Sequence, residues 1–188
     1  MKWAFVLTLA GVAFLAACGG GDDETSAPTD SPGASVEPSA GAGNICDLLT
    51  ADEIKSITGI KAGQMLEHNG PGTLHFCTIY LKVSGCDECA LSLEDLGTVD
   101  PNSYNDAASF RQTLVDTNPD AAFEFEDGVL GVDSWLGTAS AGPIPGFKIL
   151  YFTIGDTAYD LDSARTEGGA VDADQMTALA RAVINNSH

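Results

Sequence analysis

The sequence predicts an α+β domain, an antiparallel sheet of about five to six strands with helices packed on it. Two observations carry this. Strand-patterned segments follow one another in pairs, which marks hairpins rather than strand-helix alternation. The segments beginning at Thr50 and Asp172 each carry a reciprocal helix cap.

The first element is "NICDLLTADEIKSITG". Thr50 as N-cap with Glu53 three residues on forms a capping box, Leu49 and Ile54 occupy the two positions of a hydrophobic staple, and Gly59 stops the helix. In "TLHFCTIYLKV" the residues Cys77, Ile79, Leu81 and Val83 share one face, and "ALSLEDL" answers with Leu91 and Leu93 inward and Ser92 and Glu94 outward. These two strands read as a hairpin connected by "SGCDEC". A second helix is expected from Ser103 to about Val115, with Phe110 and Leu114 one turn apart. "AFEFED" and "GVDSWLGTA" read as strands, and Gly155-Asp156 supplies the Gly-X loop of a tight hairpin between "FKILYFTI" and "TAYDLDSA". The last helix is capped by Asp172 and Gln175, and Met176, Leu179, Ala180, Val183 and Ile184 form its apolar stripe. The expected order is helix, two strands, helix, about four strands, helix.

The beginning of the chain has a different character. Residues 1–18 combine a minimal basic start with an apolar run too short for a comfortable membrane span, and end in "LAAC". This resembles the bacterial lipobox, in which small residues precede a cysteine that is lipidated and becomes the first mature residue, here Cys18. Residues 19–43 are Gly, Ser, Pro, Thr and acid with almost nothing to bury, so a flexible tether is expected. The folded domain is assigned to residues 44–188, on the extracytoplasmic face of the cell membrane and anchored by the lipid.

Charge narrows the choice of partners. Removing Lys2 leaves 7 basic against 27 acidic side chains, a formal charge of −20. Such a field repels phosphate backbones and anionic headgroups, so no nucleic-acid partner is expected and only the lipid holds the chain to the membrane. Solubility of an exported domain accounts for the acidity without a specific cationic partner.

Four cysteines remain in the domain, Cys46, Cys77, Cys86 and Cys89, and they allow three pairings. Outside the cytoplasm disulfides are the default. The most economical pairing joins Cys46 to Cys77 and leaves Cys86 with Cys89. A redox role for Cys86 and Cys89 needs a helix N-terminus under the first thiol, whereas here the pair lies between strands with Asp87 and Glu88 between the sulfurs. Zinc would need further ligands from Cys77, His75 or His68.

Few other residues invite chemistry. His68, His75 and His188 are scattered and no nucleophile motif accompanies them. "DPNSYND" echoes a calcium loop, but the sixth position is Asn105 and the twelfth Arg111, so a helix-capping turn is expected. No phosphate-cradling glycine loop occurs, and neither a cofactor, a metal nor a catalytic residue is assigned. Trp135 with Ile144 and Phe147 in the loop "GTASAGPIPGF" offers two readings, an exposed apolar contact surface or part of the core.

"CDLLTADEIKSITG", "FCTIYL", "GVLGVDSWLG" and "FKILYFTIGDTAYDL", in that order over residues 45–185, resemble an actinobacterial cell-envelope lipoprotein family of unknown function. The resemblance implies the same Cys46 to Cys77 pairing and transfers no catalytic residue. Cys86, Cys89 and the pair Val132-Asp133 depart from the family pattern. Three functions follow as expectations: a non-enzymatic binding or adaptor module for an envelope protein or lipid, a carrier of an apolar ligand, and an enzyme.

Overall fold

The computed structural model describes residues 44–69, 75–86, 88–131, 133–163 and 170–188. Cys18 and the tether lie outside the described residues. A 3-10 turn at Ile45–Leu48 leads into α1 (Ala51–Thr58), followed by β1 (Ala62–Asn69), β2 (His75–Leu81) and β3 (Ala90–Thr98). After α2 (Ala107–Thr117) come β4 (Phe123–Asp127), β5 (Trp135–Ala139), β6 (Lys148–Ile154) and β7 (Thr157–Asp162), and α3 (Ala173–Asn186) closes the domain. The seven strands form one sheet in the order β1-β2-β3-β7-β6-β5-β4, and every neighbouring pair is antiparallel.

The sheet has one strand more than the upper expectation, and the strand absent from the expected order is β1. Its two large apolar residues, Met65 and Leu66, are adjacent rather than alternating, and its pairing with β2 slips between Ala62 and Met65. As an edge strand with an exposed C-terminal half it lacks the period-two pattern that marks a buried strand.

The caps form as expected. The Glu53 backbone N–H donates to Thr50 Oγ1 at 3.3 Å, and the Thr50 N–H donates to Glu53 Oε2 at 2.9 Å. Gly59, at φ +73°, ends α1 by donating its N–H to the Lys55 carbonyl, a conformation in which a Cβ would be strained. Asp172 and Gln175 repeat the reciprocal cap on α3. At the far end of α3, Asn186 Nδ2 donates to Glu53 Oε1 at 3.0 Å and to the Leu48 carbonyl at 3.2 Å, tying the last helix to the start of the first.

Two boundaries differ from expectation for a common reason, a buried polar side chain that holds the backbone in a turn. Asn105 is buried and donates its amide to the Leu96 and Thr98 carbonyls at 3.1 and 2.6 Å, so α2 begins after it with Asp106 as N-cap. Ser134 Oγ accepts from the Leu130 N–H at 2.8 Å and donates to the Gly131 carbonyl at 2.9 Å. β5 therefore starts at Trp135 rather than at Gly131.

The core lies on both sides of the sheet. On one face the 3-10 turn, α1 and α3 bring Ile45, Leu49, Ile54, Met176, Leu179 and Val183 against Ile79, Leu91, Leu93, Leu150, Phe152 and Leu161. On the other face α2 lays Phe110 and Leu114 over Trp135, Ile149 and Tyr151, with Phe123 and Phe125 alongside. Gly137 makes this second core possible, because a Cβ there would stand 3.0 Å from the Phe125 ring and 3.3 Å from Ile149. Among the described residues no helix covers the β1–β2–β3 part of this second face.

Both cysteine pairs are disulfides, Cys46–Cys77 and Cys86–Cys89. In the chain-entropy model the first closes a loop of about 32 residues, which contributes roughly 3.5 to 4 kcal/mol, against about 2 kcal/mol for the short loop. Urea unfolding should therefore order the paired alanine variants, with Cys46→Ala/Cys77→Ala losing clearly more stability than Cys86→Ala/Cys89→Ala. The reverse order would show that the turn, not the helix-to-sheet tie, is the main covalent constraint.

Candidate functional site

The disulfides position the elements and leave no free thiol among the four domain cysteines. Asn44 Oδ1 accepts from the Cys46 N–H at 2.8 Å, fixing the 3-10 turn whose cysteine reaches the buried Cys77 on β2. The second disulfide closes the β2–β3 connection, where the Cys86 N–H donates to the Val83 carbonyl and the Leu81 N–H to the Cys89 carbonyl. Cys86 thus sits in a hydrogen-bonded turn between strands rather than at a helix N-terminus. Among the described residues no group of three or more His, Cys, Asp or Glu is arranged to hold a metal ion.

Trp135 is buried, at 3% exposure, and belongs to the core rather than to an exposed contact surface. Its indole N–H donates to the Ala107 carbonyl at 3.0 Å, its ring stacks on Tyr151 at 5.6 Å, and Phe125 meets its face edge-on at 5.3 Å. The reason is positional: Trp135 opens a strand whose register places it under the first turn of α2. Phe147 is half-buried and packs edge-on against Phe123 at 6.2 Å. Ile144 is half-buried in the loop that leads to it. The aromatic residues of this region hold α2 to the sheet.

Three hollows surround Asp133, at the end of the sheet where the β4–β5 connection meets the N-terminus of α2. The largest, about 650 Å³, is lined by Val99, Pro101, Asp106, Tyr151, Thr153 and Asp156 in addition to Asp133. A second of about 350 Å³ runs beside α2 past Arg111, Gln112, Val115 and Asp127 to Trp135. A small one of about 120 Å³ lies between Asp133, Phe152 and Ile184. Ala107, Ala108 and Asp133 line both larger hollows, so the two form neighbouring parts of one cleft.

The chemistry of the cleft is set by its acids. Asp106, Asp133 and Asp156 make the larger hollow anionic, and no lysine or arginine lines it among the described residues. Tyr151 donates its hydroxyl to the Asn105 carbonyl at 2.8 Å, and burial followed by the charges of Asp106 and Asp133 pushes its phenol up to about 12. It therefore stays neutral and engaged at physiological pH. The Ser134 hydroxyl is held within its own loop, and Arg111 is paired with Asp127 at 2.8 Å and lies 4.0 Å over the Phe125 ring. Hydrogen bonds from Ser109 and Ala108 hold the Asp106 carboxyl below the usual range, as befits an N-cap. Each of these acids stands in a turn, where the sequence offers no signal to separate a cleft carboxylate from a solvated one.

The histidines do not assemble. His75 Nε2 lies 2.9 Å from Glu67 Oε1 on the neighbouring strand, and His68 stacks on Phe76 with ring centroids 4.3 Å apart. His188 lies at the chain end, near His75 in a separate hollow of about 270 Å³ with Asp95 and Tyr159.

One further group of carboxyls stands on the sheet itself. Glu94 of β3 faces Asp160 of β7 directly across the strands, and Asp162 follows two residues on along the same face. Asp160 is 5% exposed and its Oδ1 has no hydrogen-bond partner. Burial, reinforced by Asp162 and Glu94, raises its carboxyl well above the ordinary aspartate range. Burial also raises Glu94, with Asp95 adding to the shift.

A raised folded-state value means that the unfolded chain ionises first. Stability is then lost as pH rises from the unfolded aspartate value near 3.9 towards the folded one. Asp160→Asn removes that loss, so thermal melts should show the variant gaining on the wild type at pH 7 relative to pH 4. A variant less stable at pH 7 than at pH 4, relative to wild type, would contradict this account of the buried carboxyl.

Comparison with known proteins gives no match to a family model, to a curated protein or to a solved structure.

Proposed function

We propose that this chain is a lipid-anchored, non-enzymatic binding or adaptor module on the extracytoplasmic face of the cell membrane, of the kind found in the actinobacterial lipoprotein family it resembles. The observation that carries the reading is the open, anionic surface cleft around Asp133. A partner held at such a cleft is recognised from outside, by carboxylates of which Asp106 is fixed in place as the cap of α2. The two disulfides suit a domain that works in an oxidising compartment. The side chains most suited to catalysis, Tyr151 and Ser134, are engaged in structural hydrogen bonds, which weighs against an enzyme. The carboxylate-lined hollows likewise weigh against a carrier that encloses an apolar ligand.

Two measurements test the reading separately. Cys18→Ala should shift the protein from the membrane fraction to the soluble fraction; retention in the membrane would contradict lipid anchoring. A photo-crosslinking residue at position 133 of the lipidated protein should capture a discrete adduct in its own envelope, whereas the same probe at exposed position 55 on α1 should not. Equal labelling from both positions, or none from either, would count against the cleft as a binding surface.

A further inference from the structure

The sheet ends on two edge strands, β1 and β4, and they differ. The pairing of β1 with β2 slips between Ala62 and Met65, an irregularity that turns an edge away from further pairing. β4 pairs with β5 in unbroken register from Phe123↔Ala139 to Asp127↔Trp135 and contains no proline. Among the described residues no strand pairs with its other side.

The register fixes which backbone groups stand on that outer side. Just beyond the two ends of β4, the Gly128 N–H donates to the Ser134 carbonyl and the Ser140 N–H to the Ala122 carbonyl. In an antiparallel ladder, hydrogen-bonded pairs alternate with pairs that turn their N–H and C=O groups away. By that alternation Glu124 and Glu126 direct their backbone groups to β5, whereas those of Phe123, Phe125 and Asp127 point outward. A row of outward N–H and C=O groups is a template for one more strand.

The side chains say what kind of strand fits. Glu124 and Glu126 are exposed on the face away from α2, two residues apart and so about 7 Å from one another. Among the described residues the ion pairs are His75 with Glu67 and Arg111 with Asp127, and neither uses these two glutamates. On the other face Phe123 and Phe125 are half-buried under α2. There a hollow of about 350 Å³ opens where the flank of α2 carrying Arg111, Gln112 and Val115 meets Asp127 and Trp135, and Val115 is 38% exposed. Exposed glutamates need no ligand for the fold; what they set is which strand the edge accepts. They repel another copy of so acidic a chain and attract a basic segment.

We propose that β4 is the docking edge for an extended segment of a partner protein, which adds to the sheet as an antiparallel strand with apolar and basic residues in alternation. Its apolar residues stand opposite Phe123, Phe125 and Asp127 and exchange backbone hydrogen bonds with them, the one opposite Asp127 lying beside the hollow. Its basic residues stand opposite Glu124 and Glu126, in the pairs whose side chains approach most closely. The proposal deepens the reading of the Asp133 cleft and rests on it, because the hollow at the end of β4 is one part of that cleft.

Nuclear magnetic resonance of the intact, nitrogen-15-labelled protein in detergent at low ionic strength tests this with acetyl-Val-Lys-Val-Lys-Val-amide in large excess. Amide exchange should slow at Phe123, Phe125 and Asp127 and stay as it was at Glu124 and Glu126, whose N–H groups already face β5. The same peptide methylated on its valine nitrogens keeps its charge but cannot pair, and should bind about tenfold more weakly or less tightly still. The glutamate counterpart of the peptide should not protect the edge. Glu124→Lys/Glu126→Lys, with an unchanged melting temperature, should exchange the preference and accept the glutamate peptide instead of the lysine one. No protection of the three amides, equal binding of the methylated peptide, or a preference for lysine that survives the charge reversal would overturn the proposal. Failure here with a discrete adduct still captured from position 133 would leave the cleft reading standing and remove only the added strand.

Discussion

The architecture depends on the two-sided burial of β6. Leu150 and Phe152 point into the core under α1 and α3, while Ile149 and Tyr151 point into the core under α2. Four consecutive buried residues on one strand leave it no solvent face, so helices must cover both sides of the sheet there. The two layers are staggered: α1 and α3 reach from β6 towards β2, and α2 reaches from β6 towards β4. Cys46–Cys77 fixes the outer end of the first layer, and the Trp135 indole bond to Ala107 fixes the start of the helix that forms the second. Among the described residues, this staggered pair of layers leaves the β1–β2–β3 part of one sheet face without a helix.

Charge placement follows the same division. On β4, Glu124 and Glu126 face away from the aromatic core and keep this edge of the sheet polar, a common protection against unwanted strand pairing. At the end of the sheet the acids line a cleft that α2 and its turns hold open. On the sheet, Glu94 and Asp160 stand directly opposite one another and Asp160 is buried. The acids of β4 are explained by solubility, whereas burial of the Asp160 carboxyl costs stability when it is ionised.

Much of the fold is legible in the sequence wherever one residue type dictates one backbone state. Thr50, Gly59 and Asp172 mark helix ends because their hydrogen bonds are local. Gly155, at φ +59°, marks the β6–β7 hairpin for the same reason. β1 is not legible, because its pairing is decided by β2 rather than by its own pattern. The start of α2 is hidden by Asn105, whose partners lie on β3, and the burial of Trp135 depends on a helix that begins 28 residues earlier. The cleft and the Glu94–Asp160 pair share this difficulty. Alternation along β3 places Glu94 outward, but only the register with β7 reveals a second carboxyl opposite it.

The proposed external binding module would meet its partner at the Asp133 cleft. Hydroxyl-radical footprinting of the protein in its intact envelope and after purification tests this most directly. We expect oxidation of Pro101 and Val99 at the cleft to be suppressed in the envelope and restored on purification, with buried Tyr151 unlabelled in both. Identical labelling of all these residues in the two states would contradict it.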